Sequence, residues 1–170
     1  MIKRIKDYSL QKKKEKSLKK RDLSQRNSKL ETMVVLIDVN YIQDKSHIES
    51  IGDALKLDEN KVQFLYFDKT EKKAAPNSKK FSTNDFRWNG NVMNTNVRDF
   101  IENPVDVLLG IFSNQNKLLN SLSAQSNARF KIGYLDADQE IFDLILSINP
   151  ADEKLFQSET IKFLKILNKI

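Results

Sequence analysis

A chain of 170 residues, 39% hydrophobic and 31% charged, is long enough to bury one core. It has no cysteine, which excludes disulfide frameworks, thiolate catalysis and cysteine-ligated zinc or iron–sulfur sites. The net charge of +6 is unevenly placed: residues 1–30 hold twelve Lys or Arg against three Asp or Glu, and the remaining residues hold seventeen against twenty. The start, MIKRIKDYSLQKKKEK, has no apolar h-region, and no later segment approaches the roughly 20 apolar residues of a membrane span. A soluble, cytoplasmic protein is expected.

Residues 1–30 contain no Pro or Gly and are rich in Lys, Arg, Gln, Glu and Leu, so they read as a basic helical arm ahead of a single α/β domain at 31–170. The arm's apolar positions, Ile2, Ile5, Leu10, Leu18, Leu23 and Leu30, are too sparse for a wide buried stripe. The expectation is a helix that projects or packs loosely by one edge. Lys12, Lys13, Lys14, Lys16, Lys19, Lys20 and Arg21 are candidate contacts to a polyanion, whether RNA, ribosome or acidic lipid, since a lysine on a phosphate also releases a counterion. No aromatics are interleaved in this run to support base stacking. The plainer reading is a solvated, partly disordered extension.

MVVLI at 33–37 reads as the first strand, with Asp38 at its carboxyl end, the edge at which open parallel sheets bind ligands. A second Asp two residues on would suggest phosphoryl transfer of the haloacid-dehalogenase kind, but Asn40 stands there. The glycines are Gly52, Gly90, Gly110 and Gly133, so neither G-x-G-x-x-G nor a P-loop can be written. Residues 44–57 read as one helix, with Ile48, Ile51, Ala54 and Leu55 on one face. His47, the sole histidine, lacks metal-binding partners, and its acidic neighbours Asp44 and Glu49 suggest an exposed position. No G-x-S-x-G elbow supports a Ser-His-Asp triad.

VQFLYF at 62–67 is the second strand, followed by Asp68 and a lysine-rich surface loop. The loop leads into FSTNDFRWNG, where Phe81, Phe86 and Trp88 flank Asp85 and Arg87. These five residues are a candidate ligand or partner clamp; the other reading is a loop pinned to the sheet edge by its aromatics.

Residues 95–101 form a short helix, and 105–134 then read as a complete strand, helix, strand unit. Val105, Val107, Leu108, Leu109, Ile111 and Phe112 suit a strand covered on both faces. Leu118, Leu119 and Leu122 recur at helical spacing, and Phe130, Ile132 and Tyr134 alternate in a second strand. Ser113 or Asn114 is expected to cap the helix and Asn127 to close it. A crossover of this length implies parallel strands and a right-handed connection. The acidic connection at 135–140 lacks the pattern of a calcium loop. FDLILSI at 142–148 is a further strand, and Asp152 can cap a last helix carrying Leu155, Phe156, Ile161, Phe163, Leu164 and Leu167.

The combination of FSTNDFRWNG, FIENPVDVLLGIF, ARFKIGYLDADQEIFDLIL and LKILNK behind a lysine-rich arm resembles an uncharacterised bacterial domain-of-unknown-function family over nearly the whole chain. The resemblance implies no activity, ligand or catalytic residue. More distantly, DVLL, helix, ARFKIG looks like the amino-terminal Rossmann-like half of heptosyltransferase-type glycosyltransferases. That likeness implies the fold alone, because those enzymes place a sugar nucleotide between two such halves and have an early glycine turn missing here.

The expected architecture is a three-layer α/β sandwich of about five mainly parallel strands, Rossmann- or flavodoxin-like, behind the basic helical arm. The expected function is non-enzymatic binding or interaction through the arm and the 81–90 loop, with no cofactor and no metal. The alternative is a nucleotide or nucleotide-sugar binder or enzyme using the carboxyl edge of the sheet, through Asp38, Asp68, Ser113 and Asn114.

Overall fold

A computed structural model describes residues 2–72 and 74–170. Its strands are β1 (Met33–Asp38), β2 (Val62–Phe67), β3 (Lys80–Phe81), β4 (Val105–Ile111), β5 (Ala128–Tyr134) and β6 (Leu144–Leu146). They form one six-stranded sheet in the order β3-β2-β1-β4-β5-β6, and every neighbouring pair is parallel. The chain runs outward from β1 to β3, returns across β1 to β4, and runs outward on the other side. The reversal between β1 and β4 is the switch point at which folds of this strand order bind ligands.

Alternation along each strand divides the interior into two cores. Val34, Leu36, Leu65 and Leu108 face one side, under α1 (Ile2–Lys20), α4 (Thr95–Glu102) and α5 (Lys117–Gln125). Met33, Val35, Ile37, Val107, Leu109 and Ile111 face the other, under α2 (Ser46–Glu49), α3 (Ile51–Ala54) and α6 (Glu153–Ile166). The expected α/β class, parallel sheet and amino-terminal helix are therefore present.

The sheet has one strand more than expected. β3 is only two residues long, below the length at which a hydrophobic pattern can signal, and is held by Asp68 N–H donating to the Phe81 carbonyl at 2.9 Å. The single helix expected at 44–57 is two short ones, interrupted at Ser50, where Gln157 from α6 donates to both the His47 carbonyl and the Ser50 hydroxyl. His47 is buried rather than exposed. Its Nε2 donates to the Pro150 carbonyl at 2.7 Å and its ring meets Phe156 edge-on, so it docks α2 against α6. Asn116, not Ser113 or Asn114, caps α5 by accepting from the Leu119 N–H, and Ser126 rather than Asn127 closes the helix.

β5 and β6 are joined by 135–143 without a helix, and two glycines make that possible. Gly110 and Gly133 stand opposite each other on β4 and β5. A Cβ on Gly110 would lie 2.7 Å from the Phe142 ring, and one on Gly133 would lie 2.4 Å from the Ala137 Cβ. The bare backbone pair lets Ala137 and Phe142 lie flat on the sheet, where Phe142 packs on Phe112 with ring centroids 6.0 Å apart. Gly133→Ala is accordingly expected to destabilise the protein by about 1–3 kcal/mol through overpacking. Urea denaturation measures it, and an unchanged midpoint would refute the close-approach account.

Candidate functional site

The carboxyl edge of the sheet contains the residues that the switch-point reading singles out. Asp38 ends β1, and its Oδ2 accepts from Asn116 Nδ2 at 3.0 Å while its Oδ1 accepts from the Asn40 N–H. Asn40 Oδ1 in turn accepts from the Lys69 N–H, which brings the β1 and β2 loops together beside Asp68. Asp68 accepts from the Thr70 hydroxyl and N–H, and these bonds hold its carboxyl below the usual range. Ser113 and Asn114 turn elsewhere: Ser113 Oγ accepts from the Gln115 N–H, and Asn114 accepts through its carbonyl and Oδ1 from Asn120 Nδ2. Asn114 lines an open cavity of about 540 Å³ with Asp136 and Asp138. This edge is thus rich in carboxylates and largely bonded to itself, a poor electrostatic match for a phosphate.

The arm is built into the fold. α1 lies against α5, its Leu10 is 4% exposed within the core, and the Leu10 carbonyl accepts from Ser121 Oγ. The helix ends in an ion-pair node: Arg21 donates through both terminal nitrogens to the Asp143 carboxylate, at 3.0 and 2.5 Å. Asp143 also accepts from the Lys131 N–H on β5. The Lys131 side chain is fully buried, and its Nζ donates to the carbonyls of Ser123, Ala124 and Ser126 at the carboxyl end of α5. No basic residue lies in the last turn of α5, so Lys131 supplies the cationic donor at these carbonyls, and the Ser126 hydroxyl adds a second donor to that of Ser123. Burial, reinforced by the Arg21 guanidinium and opposed by Asp143, pushes the Lys131 ammonium down to about 7.

Docking sorts the seven basic candidates into two sets. Lys13, Lys14 and Arg21 are spent inside the molecule: Lys13 Nζ donates to the Gly90 carbonyl at 2.8 Å, Lys14 pairs with Asp138 and Glu140, and Arg21 pairs with Asp143. Lys12, Lys16, Lys19 and Lys20 are exposed. Among the described residues, no carboxylate pairs with them. Between the second half of α1 and the end of α5 lies a cleft of about 630 Å³, whose walls include Lys13, Lys16, Lys20, Arg21 and Arg129 against one acid, Asp22. Arg129 donates to Asp106 at 2.6 Å, and burial of Asp106 is outweighed by the N–H groups of Glu31 and Thr32, the Thr32 hydroxyl and this guanidinium, so its carboxyl sits below the usual range. Arg129 and Lys131 went unnoticed in the sequence because they alternate with apolar residues as ordinary strand positions. The missing cation at the end of α5 was the one available signal for Lys131.

The 81–90 loop lies against the same helix. Phe81 and Phe86 are buried, their rings 6.1 Å apart. Ser82 and the buried Asp85 form a reciprocal capping box. Arg87 and Trp88 remain exposed, at the start of a turn closed by the Gly90 N–H donating to the Arg87 carbonyl, with Gly90 at φ +76°. Lys6 of α1 donates to the carbonyls of Thr83 and Phe86 and sits over the Phe86 ring. The two stretches that the sequence offers as separate contact surfaces therefore adjoin.

Fold and surface together define an α/β protein with an all-parallel sheet and an integral basic helix. The chain belongs to a family of unknown function (DUF6913), which matches residues 6–167. No curated protein and no solved structure matches the chain. Among the described residues, no helix is long and apolar enough to cross a membrane, and no three acidic or histidine side chains gather as metal ligands.

Two outcomes are expected. Between about pH 7 and about pH 10 the unfolded chain keeps the Lys131 proton and the folded chain does not, so stability rises with pH in this window. Lys131→Met should lose that rise, as measured by urea denaturation at several pH values; a parallel rise in the variant would refute it. At the carboxyl edge, millimolar UDP or a UDP-sugar should leave the melting temperature unchanged, whereas binding at 100 times Kd would stabilise by about 2.7 kcal/mol.

Proposed function

We propose that the protein is a non-enzymatic cytoplasmic binding protein for a phosphate-bearing polyanion, engaged by the outer face of α1 and the adjoining basic cleft. One observation carries this reading: Lys12, Lys16, Lys19 and Lys20 are exposed and, among the described residues, without a carboxylate partner, and Lys16 and Lys20 line the cleft of about 630 Å³. Each lysine on a phosphate releases condensed counterions, so affinity falls steeply with salt. The charged cleft supports binding more than chemistry, since the one carboxylate in its wall, Asp22, is exposed and taken up by the Ser24 N–H and hydroxyl.

The test must leave the arm in place, because Leu10 and Arg21 hold the fold together. Replacing Lys12, Lys16, Lys19 and Lys20 with Gln in the full chain should abolish retention on heparin and reduce the salt slope of binding to RNA by roughly 0.7 for each phosphate no longer neutralised. Circular dichroism should be unchanged. Equal retention of variant and wild type would remove the helix face from the account.

A further inference from the structure

We propose that the polyanion is a single-stranded nucleic acid, and that Trp88 is the platform on which one of its bases stacks. The inference rests on the polyanion reading above and goes further, to the substrate class and to a residue that contacts a base.

The observation behind it is a shared side chain. Lys13 lines the basic cleft, and the same ammonium holds the Trp88 turn by donating to the Gly90 carbonyl at 2.8 Å and to Asn91 Oδ1 at 3.2 Å. Trp88 is two residues from Gly90, so their Cα atoms are at most about 7 Å apart. Through Lys13, the turn that carries Trp88 is tied to the helix whose Lys16 and Lys20 line the cleft.

The turn is also unusually well held for one that exposes its largest side chain. Phe81 and Phe86 anchor its base, the Ser82–Asp85 capping box closes one side, and Met93 N–H donates to the Asp85 carbonyl at 2.8 Å on the other. The backbones of Phe86 and Val92 bridge, and Arg87 N–H donates to the Asn91 carbonyl. Despite this scaffold, Trp88 is 66% exposed, next to the exposed Arg87. On the outer face of α1, Tyr8 is 68% exposed, with Lys12 one turn further on.

Aromatic faces set among unpaired cations match a single strand in both its parts. The phosphates meet lysines, and unstacked bases meet a flat π surface of any sequence preference. In a duplex the bases are already stacked on one another, so only the phosphates remain available to this surface. An apolar protein partner fits less well, because the exposed Arg87 beside the tryptophan and Lys16 and Lys20 in the cleft would have to be desolvated without a counter-charge.

Trp88 is the only tryptophan in the chain, which makes its own emission the readout. Oligouridylate, an RNA duplex of equal length and heparin are each titrated into the full-length protein. The expected result is binding of all three, with quenching and a shift of tryptophan emission by oligouridylate alone. Trp88→Ala should weaken oligouridylate binding roughly tenfold without changing heparin retention, and Trp88→Phe should restore most of the affinity.

Equal quenching by heparin and oligouridylate, or unchanged oligouridylate affinity in Trp88→Ala, would overturn the stacking role while leaving the polyanion reading intact. Failure of all three ligands to bind would overturn both. Because Trp88 is exposed and its turn is held by other residues, loss of binding in Trp88→Ala alongside an unchanged circular dichroism spectrum counts for the proposal.

Discussion

The carboxylate of Asp143, 5% exposed, is the point on which the arrangement of this molecule depends. A buried carboxylate costs several kcal/mol unless charges and N–H groups surround it, and its partners come from separate stretches of chain. Arg21 reaches it from the end of α1, the Lys131 N–H reaches it from β5, and Asp143 itself immediately precedes β6. The helix thus closes onto the sheet through a charge pair where its apolar side chains are few. Lys131 extends the node to α5, whose terminal carbonyls it satisfies from beneath. Arg21, Lys131 and Asp143 together tie α1, α5, β5 and β6 to one another.

Carboxylates collect at the carboxyl edge of the sheet, where Asp38, Asp68, Asp136 and Asp138 end or follow strands. Lys13, Lys16 and Lys20 of α1 line a cleft with Ala128 and Arg129 at the start of β5. Lys14 bridges the two regions through Asp138 and Glu140. That cleft is away from the switch point between β1 and β4, where folds of this strand order ordinarily hold a nucleotide.

Much of the architecture could be read in the residues. The run VDVLLGI announces a doubly covered strand because every position of β4 is buried. Asp152 announces the start of α6 because its carboxylate is the acceptor for the Leu155 N–H. The matched family, over residues 6–167, likewise covers nearly all of the stretch whose motifs carried the resemblance. Two kinds of feature were hidden. A strand of two residues has no periodicity, so β3 was invisible. His47, Lys131 and Asp143 were hidden for another reason: a polar side chain looks solvated until its partners, a proline carbonyl, three helix-end carbonyls or a guanidinium, are brought to it from distant positions.

The candidate surface shows the same boundary. The basic run and the aromatic loop were each visible as composition, since charge and aromaticity are properties of single residues. That they adjoin is a consequence of packing, set by Leu10 in the core and by Lys6 and Lys13 on the loop carbonyls. By itself, the sequence determined the parallel α/β class, the charge asymmetry and the lack of cysteine and of a glycine-rich phosphate motif, because these follow from residue type and local spacing. Only the tertiary structure decided which lysines are consumed by the fold and which face solvent, because that depends on contacts between residues more than seventy positions apart.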